Sequence, residues 1–435
     1  MKAKEASNEQ LKKDLAQLEE MYEKYKAKNL HLNISRGLPC KEQLDLNNRI
    51  FHILDEDNCY AEDGTDCRQY GVIYGLPECI KLFSDLLHIP EERIILGGES
   101  SLNLMYDQML RIYNWGMLGE KPWSKQAFEL AAEGKKLKWL CPVPGYDCHF
   151  NLTEALDFEM INIPMLETGP DMDVIESLVK DDPTIKGIWC VPQYSNPTGT
   201  VYSDETVERL AKLDTAARDF VIFWDNAYAV HHIYKENIIK DIFEAAKPYG
   251  KEDRILYFFS TAKITFPGSG VCMMASGDEM IRETKNLLRL QIFSHDKLNQ
   301  LRHVKYLKSP ENIIAHMKEV AKILKPRFDL VDNILREGLR YSDLYTWVKP
   351  DGGYFITVDT YQGTAKEIVT RLEEDGVKVA IVASTYPYFK DPNDTNIRLA
   401  PTYPPMEDLQ IAMEFFCVAA NLVGIEHILR ERGAL

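Results

Sequence analysis

A lysine beyond the middle of the chain has the surroundings of a nucleophile. Lys263 follows an apolar run, residues 255–259, and precedes a turn at Pro267 and Gly268. This order predicts that Lys263 lies at the mouth of a sheet, where apolar surroundings disfavour the ammonium ion and lower the pKa of a lysine. A neutral amine can attack a carbonyl and hold a Schiff base, so Lys263 is a candidate for covalent catalysis.

An acid and a phenol precede this lysine in the sequence. Asp225 closes the apolar stretch 220–225, and Tyr228 follows three residues later. A carboxylate at the end of a buried strand is unfavourable unless it is paired, and a pyridinium N–H group would pair it. The alternatives are that Asp225 is an ordinary helix N-cap and that Tyr228 is a packed aromatic residue with its hydroxyl at the surface.

The elements that must position these groups are strands that alternate with helices. Strands are predicted at 91–97, 138–141, 158–163, 185–191, 220–225 and 254–260, with helices at 100–115, 171–180 and 204–217 between them. Strands that are apolar on both faces favour an α/β fold with a mainly parallel sheet covered on both sides. Residues 116–136 interrupt the alternation and are interpreted as an insertion.

The pattern changes after Gly277, where helices dominate and a smaller α/β domain is predicted. The predicted division is a segment 1–55 that belongs to the small domain, a large domain 56–330 and a C-terminal small domain 331–435. In open parallel sheets, ligands bind beyond the carboxyl ends of the strands. Asn196, Asp225 and Lys263 each follow or close a predicted strand, so we expect an amide, a carboxylate and an amine to meet at that edge.

Composition restricts the possible partners and the compartment. The chain has 435 residues and a formal net charge of −16, which argues against binding to nucleic acid or to an anionic membrane. No uninterrupted apolar run approaches the length of a membrane span. The nine cysteines include no pair with CxxC spacing, so neither a metal site nor a disulfide framework is predicted. We expect a cytoplasmic protein.

Several motifs in chain order resemble those of fold-type I aminotransferases that depend on pyridoxal 5'-phosphate (PLP). The motifs are Asn196-Pro197-Thr198-Gly199, Asp225-Asn226-Ala227-Tyr228, Ser260-Thr261-Ala262-Lys263 and Asn396-Ile397-Arg398-Leu399, joined by 70–78 and 352–355. The stretches 266–270 and 297–303 resemble the aspartate aminotransferase subgroup often labelled MocR-like or class Ic. One such motif is weak evidence, but several in order over almost the whole chain are strong.

The resemblance implies a role for each residue that would touch the cofactor ring. Lys263 would carry PLP and shuttle a proton, and Asp225 would pair with the pyridinium N–H group. Asn196 and Tyr228 would hydrogen-bond to the phenolic oxygen. Tyr146 would stack on the pyridine face, or else is an aromatic residue packed in a turn.

The phosphate group would be bound by small and hydroxyl-bearing residues. Ser100 and Ser101 stand between a strand and a helix, where backbone amides can bind an anion. The resemblance adds Ser260, and Tyr70 from the partner subunit of a homodimer. Many aminotransferases carry an arginine shortly after the lysine, but residues 266–272 contain none.

Substrate binding is expected to depend on arginine. Arg398 would bind the α-carboxylate of the substrate in a bidentate manner, with a structural ion pair as the alternative. Gly37 resembles a position in the N-terminal segment that closes over the substrate. Arg36 and Lys297 are candidates for binding a second carboxylate, or are surface charges.

The resemblance implies an aminotransferase that takes amino acids and 2-oxo acids by a ping-pong mechanism, and the expected pair of substrates is aspartate with 2-oxoglutarate. The alternatives are another PLP enzyme on the same fold, such as an aromatic or kynurenine transaminase or a β-lyase, because fold does not determine function. A PLP-sensing transcription regulator is a more distant alternative. Only about thirty residues precede the cleft segment, which is too few for a DNA-binding domain.

Overall fold

The computed structural model of the protein describes residues 2–435. The strands are β1 (Leu32–Asn33), β2 (Ile94–Leu96), β3 (Lys138–Val143), β4 (Glu159–Leu166), β5 (Gly169–Pro170), β6 (Ile185–Cys190), β7 (Val221–Asp225), β8 (Ile255–Ser260), β9 (Cys272–Ala275), β10 (Thr346–Trp347), β11 (Ile356–Asp359), β12 (Val377–Lys378) and β13 (Asn396–Leu399). The helices are α1 (Asn8–Lys26), α2 (Lys41–Asp45), α3 (Pro77–Leu87), α4 (Ser101–Trp115), α5 (Trp123–Ala131), α6 (Asp147–Ala155), α7 (Met172–Val179), α8 (Asp204–Lys212), α9 (Ile242–Ala246), α10 (Asp278–Leu288), α11 (Lys297–Leu307), α12 (Pro310–Gly338), α13 (Ala365–Glu374) and α14 (Met406–Glu431).

A central sheet carries the long predicted strands. Its strand order is β2-β9-β8-β7-β6-β3-β4-β5. The neighbours from β8 through β7, β6 and β3 to β4 all pair in parallel, whereas β9 and β5 run antiparallel to their neighbours. The predicted α/β fold with a mainly parallel sheet is therefore confirmed.

Strand β7 shows why its sequence is apolar without alternation. All five of its residues are buried. Ile222 and Trp224 face one hydrophobic cluster, and Val221 and Phe223 face the other, so each side of the sheet is covered. A strand buried on both faces needs apolar side chains at every position, and this leaves Asp225 as an exception that requires a chemical reason.

The segment interpreted as an insertion is an anchored part of the large domain. It contains α5, whose first residue, Trp123, is fully buried. Nε1 of Trp123 donates a hydrogen bond of 2.9 Å to Asp219, and the same carboxylate accepts a hydrogen bond of 2.7 Å from the buried Lys186. Removing one partner of a buried ion pair strongly destabilises a protein. Since Trp123 bonds to a carboxylate that is fixed by such a pair, these contacts tie α5 to the sheet.

The smaller region combines both ends of the chain. Strand β1 pairs in parallel with β12, so that Leu32 lies opposite Val377. Strands β10, β11 and β13 form a separate antiparallel sheet. Helix α12 continues across the predicted boundary at 330/331, so it joins the two regions; the boundaries 1–55, 56–330 and 331–435 stay a prediction.

Helix α14 is long and apolar enough by length and composition to cross a membrane. However, 83% of its most apolar window is buried inside the protein. Its Phe415 packs against Tyr22 and Tyr25 of α1, with ring centroids 5.1 Å apart in both pairs. We therefore assign α14 as a core helix of the small domain.

The Lys186–Asp219 pair gives a test of the anchored segment. The Lys186→Met substitution leaves the buried Asp219 carboxylate without its cation. We therefore expect the free energy of unfolding to fall by about 3–5 kcal/mol. Urea unfolding followed by far-ultraviolet circular dichroism measures this. The matched control Lys135→Met removes an exposed pair with Glu133 and should leave the free energy of unfolding nearly unchanged. An equally small effect of both variants would contradict the anchoring role.

Candidate active site

The polar strand ends meet at one edge of the central sheet. Asp225 is the last residue of β7 and Ser260 the last of β8, and these two strands are neighbours. Asn196 follows β6 on the other side of β7, and Lys263 follows β8. The predicted gathering of an amide, a carboxylate and an amine is therefore present in one cleft of about 560 Å³.

Most of the residues singled out in the sequence line this cleft. They are Arg36, Gly37, Ser100, Ser101, Tyr146, Asn196, Asp225, Tyr228, Ser260, Lys263 and Arg398. Two others, Tyr70 and Lys297, do not line it in the single chain. The small domain supplies Arg398 from β13 and the N-terminal segment supplies Arg36 and Gly37, so the cleft lies between the two regions.

Lys263 carries a partly buried amine beside two neighbouring aromatic rings. Its Nζ atom lies 5.0 Å from the ring centroid of Tyr228 and 5.9 Å from that of Tyr354. Burial lowers the pKa of Lys263, and the nearby Asp225 carboxylate acts in the opposite direction. The amine is thus biased toward the neutral form that a nucleophile or a base requires.

One carboxylate oxygen of Asp225 has a hydrogen-bond partner within the protein and the other has none. Its Oδ2 atom lies 3.1 Å from Nε2 of His149, whose ring stacks on Trp189 with centroids 4.3 Å apart. Its Oδ1 atom is buried and has no hydrogen-bond partner within the protein. A buried carboxylate oxygen without a partner is unfavourable, and an N–H donor from a pyridinium ring fits that position. The site therefore has the acceptor that PLP requires.

The start of α4 offers donors for a phosphate. Ser100 is the N-cap residue of this 15-residue helix, and its side chain makes no capping hydrogen bond. The N–H group of Asn103 bonds to the carbonyl oxygen of Ser100 at 3.2 Å, so the N–H groups of Ser101 and Leu102 are the ones that can bind an anion. Ser100, Ser101 and Ser260 line the same end of the cleft. Ser260 donates a hydrogen bond of 3.3 Å to the carbonyl oxygen of Glu99, which holds the two segments together. Anions bind at such helix N-termini, so this end of the cleft fits a phosphate.

Arg398 has a fixed guanidinium with unused donors. Its Nη1 atom contacts Asp147 at 3.3 Å and Asn196 at 3.4 Å, and the group lies 5.0 Å from the ring centroid of Phe355. Its Nε atom is buried and has no partner within the protein. A guanidinium that is oriented but incompletely paired can bind a carboxylate.

Gly37 brings the N-terminal segment close to this arginine. A Cβ atom at this position would overlap the ring of Phe355, the same ring that packs against Arg398. The absence of a side chain therefore allows the segment to lie over the cleft. Arg36, beside Gly37, lines the cleft and is exposed.

Lys297 lies elsewhere, and the expectation that it binds a substrate carboxylate is not consistent with its contacts. Its side chain is buried, and Nζ donates to the carbonyl oxygens of Gln69 at 2.5 Å and Gly71 at 3.1 Å. These bonds hold the loop that carries Tyr70. Tyr70 itself is 83% exposed, and its ring contacts the exposed Phe293.

Sequence reasoning missed three side chains that shape the site. His149 supports Asp225, Asp147 pairs with Arg398, and Phe355 packs against the same arginine. The only available signal for His149 was its spacing: it stands three residues after Tyr146, on the same helix face, and the two rings meet edge to face at 4.9 Å. The contacts of Asp147 and Phe355 join distant segments and have no local signature.

Comparison with known proteins agrees with this geometry. Residues 6–432 match the family model described as aspartate amino-transferase. The chain is 41% identical over 416 residues to a putative aminotransferase of Mycolicibacterium smegmatis, covering 94% of this chain and 95% of the relative. It is 39% identical over 408 residues to an aspartate aminotransferase of Corynebacterium glutamicum, covering 93% and 92%.

Solved structures give the same result. An aspartate transaminase from Corynebacterium glutamicum superposes with a TM-score of 0.94 at 37% identity, covering 98% of this chain and 99% of that one. An alpha-aminoadipate aminotransferase from Thermus thermophilus, at 18% identity and a TM-score of 0.72, covers 94% and 95% and shares the fold. The chain belongs to the aspartate aminotransferase family of PLP-dependent, fold-type I enzymes.

Proposed function

We propose that this aminotransferase exchanges the amino group between aspartate and 2-oxoglutarate, in a homodimer with shared active sites. The observation that carries the substrate assignment is the pair of arginines in one cleft, Arg398 and Arg36, since both substrates have two carboxylates. The name of the Corynebacterium glutamicum relative supports the same substrate class. Assignment to the MocR-like or class Ic subgroup stays a prediction.

The residues of the cleft divide the chemistry between them. When bound, PLP supplies an electron-withdrawing ring that stabilises negative charge on the substrate Cα atom. Asp225 would accept the hydrogen bond from the ring nitrogen at its open oxygen, while His149 fixes the other oxygen. Asn196 and Tyr228 would hydrogen-bond to the phenolic oxygen, and Tyr146 would stack on the ring.

Lys263 is the base for the proton on the substrate Cα atom. Because burial lowers the pKa of Lys263 and so favours its neutral form, Nζ can accept that proton and later return it to the cofactor–substrate system. Tyr228 remains a neutral hydrogen-bond donor, since burial raises the pKa of its hydroxyl far above neutrality.

The two substrate carboxylates would be bound at opposite sides of the cleft. Arg398 binds the α-carboxylate that every amino acid has, through the donors that Asp147 and Asn196 leave free. Arg36 binds the distal carboxylate, which only acidic substrates have. The N-terminal segment would close the cleft as Arg36 engages, which excludes water from the reacting atoms.

Two exposed aromatic side chains outside the cleft support the dimer. Tyr70 is 83% exposed and Phe293 75%, and their ring centroids lie 5.7 Å apart. Large apolar side chains grouped on a surface are typical of an interface between subunits. Tyr70 would then reach the phosphate of the partner's cofactor, on a loop whose backbone Lys297 holds.

The proposed compartment is the cytoplasm. All nine cysteines are free thiols, and all except Cys148 are buried. Free thiols of this number are typical of a reducing compartment.

The function is tested by a half-reaction screen in which each amino acid is added singly to the yellow, PLP-loaded protein. Aspartate and glutamate should bleach the visible band, whereas kynurenine and cystathionine should not.

Lys263→Ala should lose that band after exhaustive dialysis, because the amine that binds the aldehyde is absent. The matched control Lys251→Ala, remote from the cleft, should keep it. A Lys263→Ala protein with an unchanged band would contradict the assignment, and bleaching by kynurenine alone would identify an aromatic transaminase.

Substitutions of the two arginines should change KM for different sets of substrates. Arg398→Lys should raise KM for every amino acid about tenfold or more, because a charge-assisted hydrogen bond contributes about 1.5–3 kcal/mol. Arg36→Gln should raise KM for aspartate and 2-oxoglutarate while leaving KM for alanine unchanged. If Arg36→Gln affects alanine as strongly as aspartate, Arg36 does not bind the distal carboxylate.

Subunit complementation tests the shared site. Tyr70→Ala and Lys263→Ala proteins should each be nearly inactive. Co-refolded in equal amounts, they should recover about a quarter of wild-type activity, because half of the dimers are mixed and one of their two sites is intact. Failure to recover any activity from soluble mixed dimers would show that Tyr70 serves its own subunit, and a fully active Tyr70→Ala protein would show that it serves neither site.

A further inference from the structure

Lys263 lies in a partly aromatic enclosure that the proposed chemistry does not account for. The rings of Tyr228 and Tyr354 have centroids 6.0 Å apart and an interplanar angle of 31°, and Nζ of Lys263 is within 6 Å of both centroids. An ammonium ion this close to an aromatic face is attracted by the quadrupole of the ring. Tyr228 also has a role toward the cofactor, whereas Tyr354 has none among the functions described above.

Tyr354 is held rigidly from the N-terminal side. The ring is completely buried, and its hydroxyl accepts a hydrogen bond of 2.8 Å from the side-chain amide of Gln43. Gln43 is itself buried, and it lies in α2, directly after the segment that lines the cleft. The ring position is therefore determined by a second element and does not depend on Lys263.

His231 completes the enclosure without adding a charge. Its ring meets Tyr228 edge-on at 5.5 Å and Tyr354 at 5.7 Å. Burial, together with the charge of nearby Lys263, lowers the pKa of His231 to about 3. The imidazole stays neutral at working pH, so it does not repel the lysine.

We propose that Tyr354 is a positioning residue for Lys263: with Tyr228, its ring holds the amine in reach of the substrate whenever the lysine is not bonded to the cofactor. This inference rests on the proposed role of Lys263. During turnover, the lysine must be released and must carry a proton without leaving the site. The two neighbouring rings attract the ammonium form from one side but offer no acceptor that would take its proton, so the amine can return it.

The attraction between the ring of Tyr354 and the ammonium form predicts the direction in which the charge of Lys263 changes when the ring is removed. The groups that influence the charge of Lys263 are the Asp225 carboxylate and the Cys148 thiol, which favour the ammonium form, and the buried surroundings, which disfavour it. The ring of Tyr354 joins the first set. Replacing Tyr354 with an apolar residue should therefore increase the neutral fraction of the Lys263 amine. If the ring of Tyr354 only filled space, the replacement would admit water and decrease that fraction.

The test is the labelling rate of Lys263 by a small acylating reagent at a fixed pH near neutrality, read by peptide mass spectrometry. It is measured on the full-length protein stripped of cofactor and again after loading with pyridoxamine phosphate, in which the lysine is free. In Tyr354→Leu the rate should rise about two- to fivefold, the increase that corresponds to one lost cation–π contact. Tyr354→Phe keeps the ring face and should restore the wild-type rate within twofold.

A matched control is Tyr345→Leu, because Tyr345 is a buried tyrosine of the small domain whose hydroxyl bonds to the carbonyl of Ala420. It should leave the labelling rate of Lys263 unchanged. An unchanged or slower rate in Tyr354→Leu, or equal effects of the leucine and phenylalanine variants, would overturn the proposal. Failure of the proposed function is distinguishable, since it would appear as a protein that does not take up pyridoxamine phosphate, while the stripped protein still reports on Tyr354.

Discussion

The unpaired oxygen of Asp225 is the constraint around which the site is built. A buried polar atom without a partner costs about 1–3 kcal/mol, and more when the group is charged. The fold keeps it because β7 lies between β6 and β8 and leaves the carboxylate no freedom to reach water. His149 satisfies one oxygen and therefore orients the other. A ring nitrogen that donates a hydrogen bond there would recover the lost interaction, so the proposed pairing would draw part of the affinity for the cofactor from this unfavourable feature of the protein.

The cations of the cleft are positioned by aromatic faces in addition to acids. Tyr354 and Phe355 are consecutive residues, and each packs near a different cation: Lys263 for the first and Arg398 for the second. An aromatic face attracts a cation without neutralising it, whereas a carboxylate in the same place would compete with the substrate. Both rings also contact the N-terminal segment, Tyr354 through Gln43 and Phe355 through Gly37. The position of that segment and of both cations is thus determined by two neighbouring side chains.

The sequence predicted what is local and missed what is brought together by tertiary packing. Apolar runs such as 220–225 identified the strands, and the polar residues that end them identified the cleft, because parallel strands end at one edge. The direction of a long side chain does not follow from its position in the sequence: Lys297 was expected in the cleft but bonds to the backbone of Gln69 and Gly71. Residues 116–136 lack strand periodicity, and their burial depends on Trp123 meeting Asp219 from a distant segment. His149 was missed for the same reason, since its partner Asp225 is 76 residues away.

Proposed substrates of different length place different demands on the two arginines. Aspartate and 2-oxoglutarate differ by one methylene group between their carboxylates, so one binding group must stay fixed while the other adjusts. Arg398 would meet the first demand, because Asp147 and Asn196 contact its Nη1 atom and the Phe355 ring packs against its guanidinium. Arg36 meets the second, because its side chain is exposed and keeps its rotamer freedom on a segment at the mouth of the cleft. Under the proposed function, a rigid α-carboxylate site would keep the substrate Cα atom at the same distance from Lys263 for both substrates, and a flexible distal site would accommodate the extra methylene without moving the reacting atoms.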